Sequence, residues 1–348
     1  MTLLVRTDAS AEIGVGHAMR CLALADALQR TTGEPAIFAM HQPPATFAAH
    51  DVGLRAISAA PGSSDDLAAT IALAEECDAR WIIIDGYQFS TAFQRGLSAA
   101  KRRVLAFDDH GHAGRYEADI VLNQNVGASE SLYEDRAART RLLLGARYAL
   151  LRDQFRRPPA VRPATPMTAE RLLVTLGGAD PDNVSKRIID ALNLVDVALQ
   201  TTVIAGGTNR HVASLRRAAA VSSQPVTVAV DVHDMAERML GADLAVASAS
   251  GTSWELARLG TPQIAITLAD NQRPAADALA NDRLALSLGW HEDITAEEIA
   301  AAITQLARDQ RGRAELARRG RALIDGRGAL RVLAAMGLIG GDEAWARS

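Results

Sequence analysis

The sequence predicts an α/β protein made of two doubly wound domains, each a parallel sheet covered by helices. The chain has 348 residues, which exceeds the length at which one hydrophobic core usually stops growing. Apolar runs of strand length alternate with amphipathic runs of helix length from end to end, as parallel sheets require. Four of the 12 prolines fall within residues 152–169, where they disfavour helix and central strand. We therefore predict an N-terminal domain over 1–151, a linker over 152–169 and a C-terminal domain over 170–348.

The composition is that of an ordinary globular protein. Hydrophobic residues make up 48% and charged residues 22%, which gives no reason to expect disorder. The formal net charge of -4 lacks the basic excess that a nucleic-acid backbone attracts, so nucleic acid is not an expected partner. The start of the chain lacks the pattern of a signal peptide, and no apolar run is long enough to span a membrane. We therefore expect a cytoplasmic protein with no integral membrane segment.

The first domain is expected to hold six strands with helical connections such as MRCLALADALQR. The candidate strands are LLVRT from Leu3, PAIFAM from Pro35, LRAIS from Leu54, WIIID from Trp81, VLAF from Val104 and DIVLN from Asp119. Cys21 and Cys77 lie in helix-like sequence without a second thiol at metal or redox spacing, so we expect both to be small buried apolar residues.

The second domain repeats this architecture. Its candidate strands are LLVTLGG from Leu172, TTVIAGG from Thr201, VTVAV from Val226, LAVASAS from Leu244, PQIAITL from Pro262 and LALSLG from Leu284. Two helices, AEEIAAAITQLARDQ and AELARRGRALIDGRGALRVLAAM, are expected after these strands because their apolar residues recur at helical spacing. The last helix is a candidate to pack back on the N-terminal domain.

The segment EIGVGHAMR follows the first strand and supplies Gly14, Gly16 and His17. Glycines before a helix let backbone amides approach an anionic ligand. Met19 stands where a dinucleotide-binding fingerprint has its third glycine, which argues against a dehydrogenase. His17 is expected just before the helix, at the carboxyl edge of the sheet, and the ordinary pKa of imidazole, about 6.5, suits proton transfer. A capping or solvent-facing histidine is the alternative.

Polar residues end three further strands of the first domain. Asp85 and Tyr87 follow the fourth strand, Asp109 follows the fifth, and Asn123 and Asn125 lie at the end of the sixth. The carboxyl ends of parallel strands meet at one edge of a sheet, so these side chains are candidates to bind a substrate. The amides match sugar hydroxyl or acetamido groups. Capping of loops by the aspartates and turn formation by the asparagines are the alternatives.

Two glycine-containing or small-residue turns in the second domain are candidates for a nucleotide site. Gly177 and Gly178 follow a strand and precede a helix that starts near Asn183, so their backbone could hold a diphosphate without a metal. A second set lies in ASASGTSWELARLGTPQIAITLADNQ. There, amides at a helix start can hold phosphate, and a carboxylate in the first turn can accept both ribose hydroxyls. The candidate residues of this set are Ser250, Gly251, Thr252, Glu255, Asn271 and Gln272.

Together these segments resemble a family of bacterial hydrolases, the UDP-2,4-diacetamido-2,4,6-trideoxy-β-L-altropyranose hydrolases of pseudaminic acid biosynthesis, which are relatives of the MurG-like glycosyltransferases. The resemblance runs over nearly the whole chain. It rests on RTDASAEIGVGHAMRCLALADAL, IIIDGYQF, FDDH, ADIVLNQN, GARYALLRDQF, LGGADPDN and SGTSWELARLGTPQIAITLADNQ.

The resemblance implies a GT-B fold, in which two Rossmann-like domains face each other across a cleft, with UDP in the C-terminal half and the sugar in the N-terminal half. It also implies hydrolysis at the anomeric carbon with inversion, without a metal or a cofactor. The residue that matches the family's catalytic histidine is His17, which would activate or orient the attacking water. The products would be UDP and 2,4-diacetamido-2,4,6-trideoxy-L-altrose. The free sugar would enter a nonulosonic acid pathway that supplies surface glycans such as those of flagellin. Other enzymes of that pathway are candidate partners.

Two other functions fit parts of the pattern. A glycosyltransferase would use the same UDP-sugar with an acceptor hydroxyl in place of water, and an exposed apolar or basic membrane patch on the N-terminal domain would favour it. A non-catalytic sensor of nucleotide sugars would keep the C-terminal site but would need no titratable group at position 17.

Overall fold

The computed structural model describes residues 2–9, 16–41, 43, 47, 52–158 and 160–341. Gly14 lies outside these residues. The chain divides into two compact units, the first formed by Met1–Asp153 with Gly326–Ser348, and the second by Gln154–Asp325. Each unit contains one parallel sheet with helices, so the predicted α/β class and its two sheets are confirmed.

The sheet of unit 1 has seven parallel strands in the order β3-β2-β1-β4-β5-β6-β7. Their bounds are β1 Thr2–Thr7, β2 Ala36–Met40, β3 Gly53–Ala56, β4 Ala79–Asp85, β5 Arg103–Phe107, β6 Ile120–Asn123 and β7 Arg141–Leu144. The central strands are buried on both faces, as the unbroken apolar run of WIIID predicts. β7 was not predicted from the sequence: its apolar run is only three leucines long, and only one of its four residues is buried.

The helices of unit 1 are α1 Gly16–Thr32, α2 Ser64–Glu76, α3 Thr91–Ala99 and, from the C-terminal segment, α12 Gly328–Ala335. Serines cap two of them, since Ser63 accepts from the amide of Asp66 and Ser90 from that of Phe93. Cys21 in α1 is buried as expected, whereas Cys77 ends α2 and is only partly buried.

The C-terminal segment of unit 1 completes its core. Ala329, Val332 and Leu333 join the same buried cluster as the residues of α1. The indole Nε1 of Trp81 donates to the carbonyl of Met336 at 3.1 Å. The sequence predicts one helix over 314–336, but the structure has two, because residues 324–327 leave helical geometry and Gly326 has a φ of +79°.

The sheet of unit 2 has six parallel strands in the order β10-β9-β8-β11-β12-β13. They are β8 Arg171–Thr175, β9 Gln200–Ala205, β10 Val226–Val230, β11 Leu244–Ser248, β12 Gln263–Thr267 and β13 Leu286–Trp290. The helices are α5 Val184–Ala191, α6 Val212–Val221, α7 Met235–Gly241, α8 Gly251–Leu259, α9 Arg273–Asn281, α10 Ala296–Arg308 and α11 Gln310–Leu323.

The proline-rich segment is held against unit 2 by two buried or partly buried arginines. Arg162 donates to the carbonyls of Met239 and Ala242, at the end of α7. Arg313 donates to the carbonyls of Leu306 and Pro166. The predicted linker also begins with a short helix, α4 Asp153–Arg156, which forms because the first proline comes only at position 158.

Candidate functional site

Both sheets contain a topological switch point, where adjacent strands lead into helices on opposite faces. In unit 1 it lies between β1 and β4, and in unit 2 between β8 and β11. Loops leave the carboxyl ends of such strands in opposite directions and open a crevice, which is where doubly wound sheets bind ligands. The site candidates of each unit cluster around its switch point.

In unit 1 the central contact joins His17 to Asp85, the last residue of β4. His17 Nδ1 lies 2.6 Å from Asp85 Oδ1. Asp85 is 1% exposed and also accepts two hydrogen bonds from Arg20, each of 2.7 Å. His17 lies in the first turn of α1 and not before it, because α1 already begins at the exposed Gly16. Three residues along the helix bring Arg20 to the same face as His17.

Arg20 joins Asp85 to a second carboxylate, that of Asp109. Its Nη1 donates to Asp109 Oδ1 at 2.8 Å. Tyr87 donates its hydroxyl to Asp109 Oδ2 at 3.1 Å, and Asn125 donates to Oδ1 at 2.9 Å. The guanidinium of Arg20 therefore joins the predicted residues Asp85 and Asp109, and Asp109 in turn binds Tyr87 and Asn125. Arg20 was not predicted from the sequence. The signal that could have found it is the spacing of His17 and Arg20 on one helix face.

Charge pairing fixes the ionisation of this cluster. Burial opposes the charge on Asp85, but the charge of Arg20, the neighbouring His17 and the hydrogen bonds from both outweigh it, so the pKa of Asp85 lies far below its usual range. The pKa of Asp109 is also lowered, because Arg20 outweighs the effect of burial. Burial likewise opposes the charge on Arg20, yet Asp109 and Asp85 raise its pKa well above the ordinary value. Both carboxylates and the guanidinium are therefore charged at neutral pH.

Asn123 serves the framework of the site. It is 1% exposed, and its Nδ2 donates to the carbonyl of Asp109 at 3.1 Å and to the hydroxyl of Tyr133 at 2.8 Å. Its Oδ1 accepts from the amide of Asn125 at 3.0 Å. These contacts occupy both amide hydrogens, so Asn123 holds Asp109 and Asn125 in place, as in the turn-forming alternative.

The loop after β5 is organised by the buried carboxylate of Asp108. It accepts from the hydroxyls of Tyr116 and Tyr133 and from the amides of His110 and His112. Burial opposes its charge, but hydrogen bonds from His112 and Tyr116 dominate and lower the pKa of Asp108 well below its usual range. The loop is thereby fixed to the sheet.

This loop brings two more imidazoles to the site. The ring of Tyr87 makes edge-to-face contacts with His17, at 5.1 Å between centroids, and with His110 and His112, at 5.0 and 5.3 Å. Tyr87 is 38% exposed, so one part of this ring cluster faces solvent beside His17. His110 belongs to the FDDH segment at the end of the fifth strand, but neither His110 nor His112 was predicted to bind the substrate.

In unit 2, the turn after β8 is packed closely against the turn after β9. The Gly206 amide donates to the carbonyl of Gly178 at 3.1 Å, and a Cβ on Gly206 would lie 2.5 Å from that oxygen. Gly177 has a φ of +87°, and no atom lies within 4 Å of a Cβ placed on Gly177 or Gly178. The amides at the start of α5 are already taken, because Asp180 accepts from Val184 and Ser185. Only the glycine backbone, and not this helix terminus, is left to approach an anion.

The start of α8 differs in this respect. Ser250 is its N-cap residue but makes no side-chain capping bond, and its hydroxyl pairs with that of Ser248 at 2.9 Å. Within the described parts of the chain, the amides of Gly251 and Thr252 have no acceptor. Open space surrounds Gly251, since no atom lies within 4 Å of a Cβ placed there. This helix terminus is therefore free to bind an anion.

Glu255 and Asn271 flank this terminus along the sequence. Glu255 is 8% exposed and is the fifth residue of α8, so it lies beyond the first turn that the sequence predicted. The helix does begin at Gly251, as expected, and its first turn ends before Glu255. Asn271 is exposed in a short 3-10 turn, Asp270–Gln272, after β12. Gln272 closes that turn by accepting from the amide of Leu268 at 2.9 Å.

No protein-family model matches this chain, but three curated proteins are similar in sequence. An uncharacterized protein of Methanocaldococcus jannaschii is 24% identical over 80% of this chain, and the match spans 58% of that protein's length. A spore coat polysaccharide biosynthesis protein of Bacillus subtilis is 25% identical over 67% of this chain and 68% of its own length. The UDP-2,4-diacetamido-2,4,6-trideoxy-β-L-altropyranose hydrolase of Campylobacter jejuni is 25% identical over 80% of this chain and 96% of its own.

Solved structures with the same fold cover almost the whole chain. MurG of Acinetobacter baumannii superimposes with a TM-score of 0.68 at 15% identity, over 97% of this chain and 99% of its own. HepE of Anabaena, in complex with UDP and glucose, has a TM-score of 0.62 at 15% identity and covers 97% of this chain and 100% of its own. None of the described helices is long and apolar enough to cross a membrane. The two parallel-sheet, Rossmann-like domains of this chain form a GT-B fold.

Proposed function

We propose that this protein hydrolyses a UDP-activated diacetamido-trideoxy sugar at its anomeric carbon, releasing UDP and the free sugar on a pathway to pseudaminic acid. The observation that carries this proposal is the 2.6 Å contact between His17 Nδ1 and the buried Asp85. A hydrolase with this substrate is among the proteins that resemble the chain in sequence. The GT-B fold, known here with UDP and glucose bound in HepE, suits a nucleotide-sugar donor.

His17 is assigned the role of general base. The charged Asp85 accepts the proton of Nδ1, which selects the tautomer whose Nε2 can accept a proton from water. In this tautomer both His17 Nδ1 and Arg20 Nη2 are donors, so their 3.1 Å separation is not a hydrogen bond. Arg20 is held instead by its hydrogen bonds to Asp85 and Asp109. Taking up a proton, His17 becomes an imidazolium that Asp85 stabilises.

The leaving group is assigned to unit 2. The free amides of Gly251 and Thr252 would bind the oxygens of the diphosphate, and the backbone of Gly177 and Gly178 would approach it from the neighbouring turn. UDP leaves as a stable anion and needs less acid assistance than an alkoxide. Water activated by His17 would attack from the face opposite to UDP, so the anomeric centre would be inverted.

The remaining polar residues are assigned to recognition. Glu255 would accept the ribose hydroxyls, while Asn271 and Gln272 would lie at the nucleotide. Tyr87, Asp109 and Asn125 of unit 1 would bind the sugar, since Asp109 accepts from Arg20, Tyr87 and Asn125. An amide such as Asn125 matches an acetamido group, which both donates and accepts.

The test is to incubate the purified protein with the UDP-sugar and EDTA, without an acceptor, and to follow UDP and the anomeric proton by NMR. We expect UDP release and a product anomer opposite to that of the substrate. The His17→Asn variant should lose turnover by a factor of roughly 100 or more while its affinity for UDP and its thermal unfolding stay as in the wild type.

Three other results would contradict the proposal in different ways. UDP release that starts only when an acceptor is added would assign the protein to the glycosyltransferases. Tight binding of UDP without any turnover would favour a sensor. Full turnover by a folded His17→Asn variant would remove His17 from the chemistry.

A further inference from the structure

A cavity of about 450 Å³ lies at the edge of unit 1 opposite to His17. The end of α3, the amino ends of β5 and β6 and the segment before β7 surround it. Because the strands are parallel, this amino edge is separated from the candidate site by the whole length of the sheet. Its volume lies within the range of small-molecule sites. The lining residues are Arg95, Ser98, Ala99, Lys101, Arg102, Arg103, Glu117, Asp119 and Arg139.

Positive charge dominates this lining, and its two carboxylates are already engaged. Glu117 lies 3.0 Å from Arg115 Nε and 3.4 Å from Arg95 Nη2. Asp119 accepts from the amide of Val104 at 2.8 Å. Arg139 contacts both acids at longer range, 3.7 Å to Asp119 and 3.9 Å to Glu117. Glu117 and Asp119 are therefore paired with Arg95, Arg115 and Arg139.

The consecutive cations Lys101, Arg102 and Arg103 are left without a carboxylate. Within the described part of the chain, none of the three makes an ion pair. Arg102 Nη1 donates to the carbonyl of Ala79 at 3.1 Å, which anchors the side chain, but its buried Nε has no acceptor. Arg103 rests on the ring of Trp81, with 5.6 Å from its guanidinium carbon to the centroid.

Three adjacent cations repel one another, and a buried N–H without an acceptor is unfavourable. An anion in the cavity would offset the repulsion among the three cations. A phosphate group has the shape and charge for this role, since arginine forks bind its oxygens in pairs and lysine adds a point charge. A carboxylate is a poorer match, because it carries less charge and offers only two oxygens to the three cations.

We propose that this cavity is a second anion site, which binds the phosphate group of a small phosphorylated compound or a lipid headgroup through Lys101, Arg102 and Arg103. The site lies apart from the residues assigned to hydrolysis, so it does not depend on the proposed function.

The test uses inorganic pyrophosphate as the probe, titrated into the full-length protein by calorimetry at low ionic strength. The double variant Lys101→Ala/Arg103→Ala should bind it at least 10-fold more weakly, and added salt should weaken binding to the wild type. The matched control is Arg216→Ala/Arg217→Ala, which removes two exposed charges from α6 in unit 2. It should bind as the wild type does.

Because Arg103 contacts Trp81, the single variant Lys101→Glu is measured as well, with thermal unfolding of every variant. Lys101 is exposed and lies outside the regular elements, so this variant should fold normally and still lose pyrophosphate. Vesicles containing phosphatidylglycerol, compared with neutral vesicles, separate the two sources of phosphate. If the anionic vesicles capture the protein and pyrophosphate releases it from them, the site is assigned to a lipid headgroup. Absence of capture, with pyrophosphate bound, would assign it to a soluble compound.

Two outcomes would overturn the proposal. One is that the wild type binds neither millimolar pyrophosphate nor anionic vesicles. The other is that the folded Lys101 and Arg103 variants bind pyrophosphate as tightly as the wild type. Such binding would be assigned to the nucleotide site of unit 2, which these substitutions leave unchanged.

Discussion

The replacement of Asp85 by asparagine tests the charge arrangement around His17. The amide has nearly the same shape as the carboxylate but no charge, and one of its two polar atoms is a donor. Asp85 now accepts from His17 and twice from Arg20. With the oxygen of the new amide toward His17, its NH₂ group must face Arg20 Nε. The histidine keeps its tautomer, but the imidazolium formed in the reaction loses its counter-charge.

The size of the effect follows from Coulomb's law. Unit charges about 4 Å apart attract by about 4 kcal/mol at an effective dielectric constant near 20, which suits a partly buried pair. The side chain of His17 is 11% exposed and that of Asp85 is fully buried. Arg20 shares the carboxylate, which lowers the loss to about 2 kcal/mol at the lower limit. Because about 1.4 kcal/mol is a tenfold change in rate, kcat should fall roughly 30- to 1000-fold.

The assay is UDP release at saturating UDP-sugar, with UDP affinity measured in parallel. We expect kcat to fall and the affinity for UDP to stay within about twofold, since unit 2 is unchanged. Circular dichroism and thermal unfolding report whether unit 1 is folded. A folded Asp85→Asn protein with kcat within about threefold of the wild type would show that the His17–Asp85 pair does not support catalysis.

Three further predictions concern other parts of the molecule. Glu255→Gln should weaken UDP binding about tenfold, the value of one hydrogen bond to a charged group, with a much smaller effect on saturated turnover; the opposite pattern would reassign Glu255 to proton transfer. The depressed pKa of Asp108 adds stability that is complete above about pH 5 and is lost progressively as the pH falls below about 4. Urea unfolding of Asp108→Asn should therefore vary less between about pH 5 and 3 than that of the wild type. Gly206→Ala should lower the free energy of unfolding of unit 2 by about 1–3 kcal/mol, because its Cβ would meet Gly178 backbone atoms, whereas Gly178→Ala should fold normally and weaken only UDP binding.

The strand ends explain how much of the site the sequence predicts. A parallel strand buried on both faces is a long apolar run, so its carboxyl end is visible where the first polar residue appears, as at Asp85 and at Asp108, which directly precedes Asp109. All these ends share one edge of the sheet, and Asp85 and Asp109 meet there because β4 and β5 are adjacent strands. The contacts around Arg20 confirm that Asp85 and Asp109 lie side by side.

What the sequence does not predict depends on tertiary contacts. The pairing partner of β7 decides that its four residues form a strand, and α12 is separated from α11 because Gly328 packs against the backbone of Ala149. The sequence LGGADPDN places a glycine turn before a helix, but it does not reveal that Asp180 folds back onto the first amides of α5. Local side-chain capping competes with a ligand for the same donors, and geometry alone decides between them.

The charge balance of the cluster gives a physical reason for Arg20. With His17 neutral, the two carboxylates and the guanidinium carry one net negative charge, and proton uptake by His17 brings the cluster to neutrality. Without Arg20, Asp85 and Asp109 would face each other with no cation between them, and Asp85 would lose two of the hydrogen bonds that hold it beside His17. Arg20→Met should therefore lower kcat at least tenfold, because Asp85 is no longer fixed beside His17. A folded Arg20→Met protein with kcat within about threefold of the wild type would show that His17 and Asp85 do not need Arg20 for their arrangement.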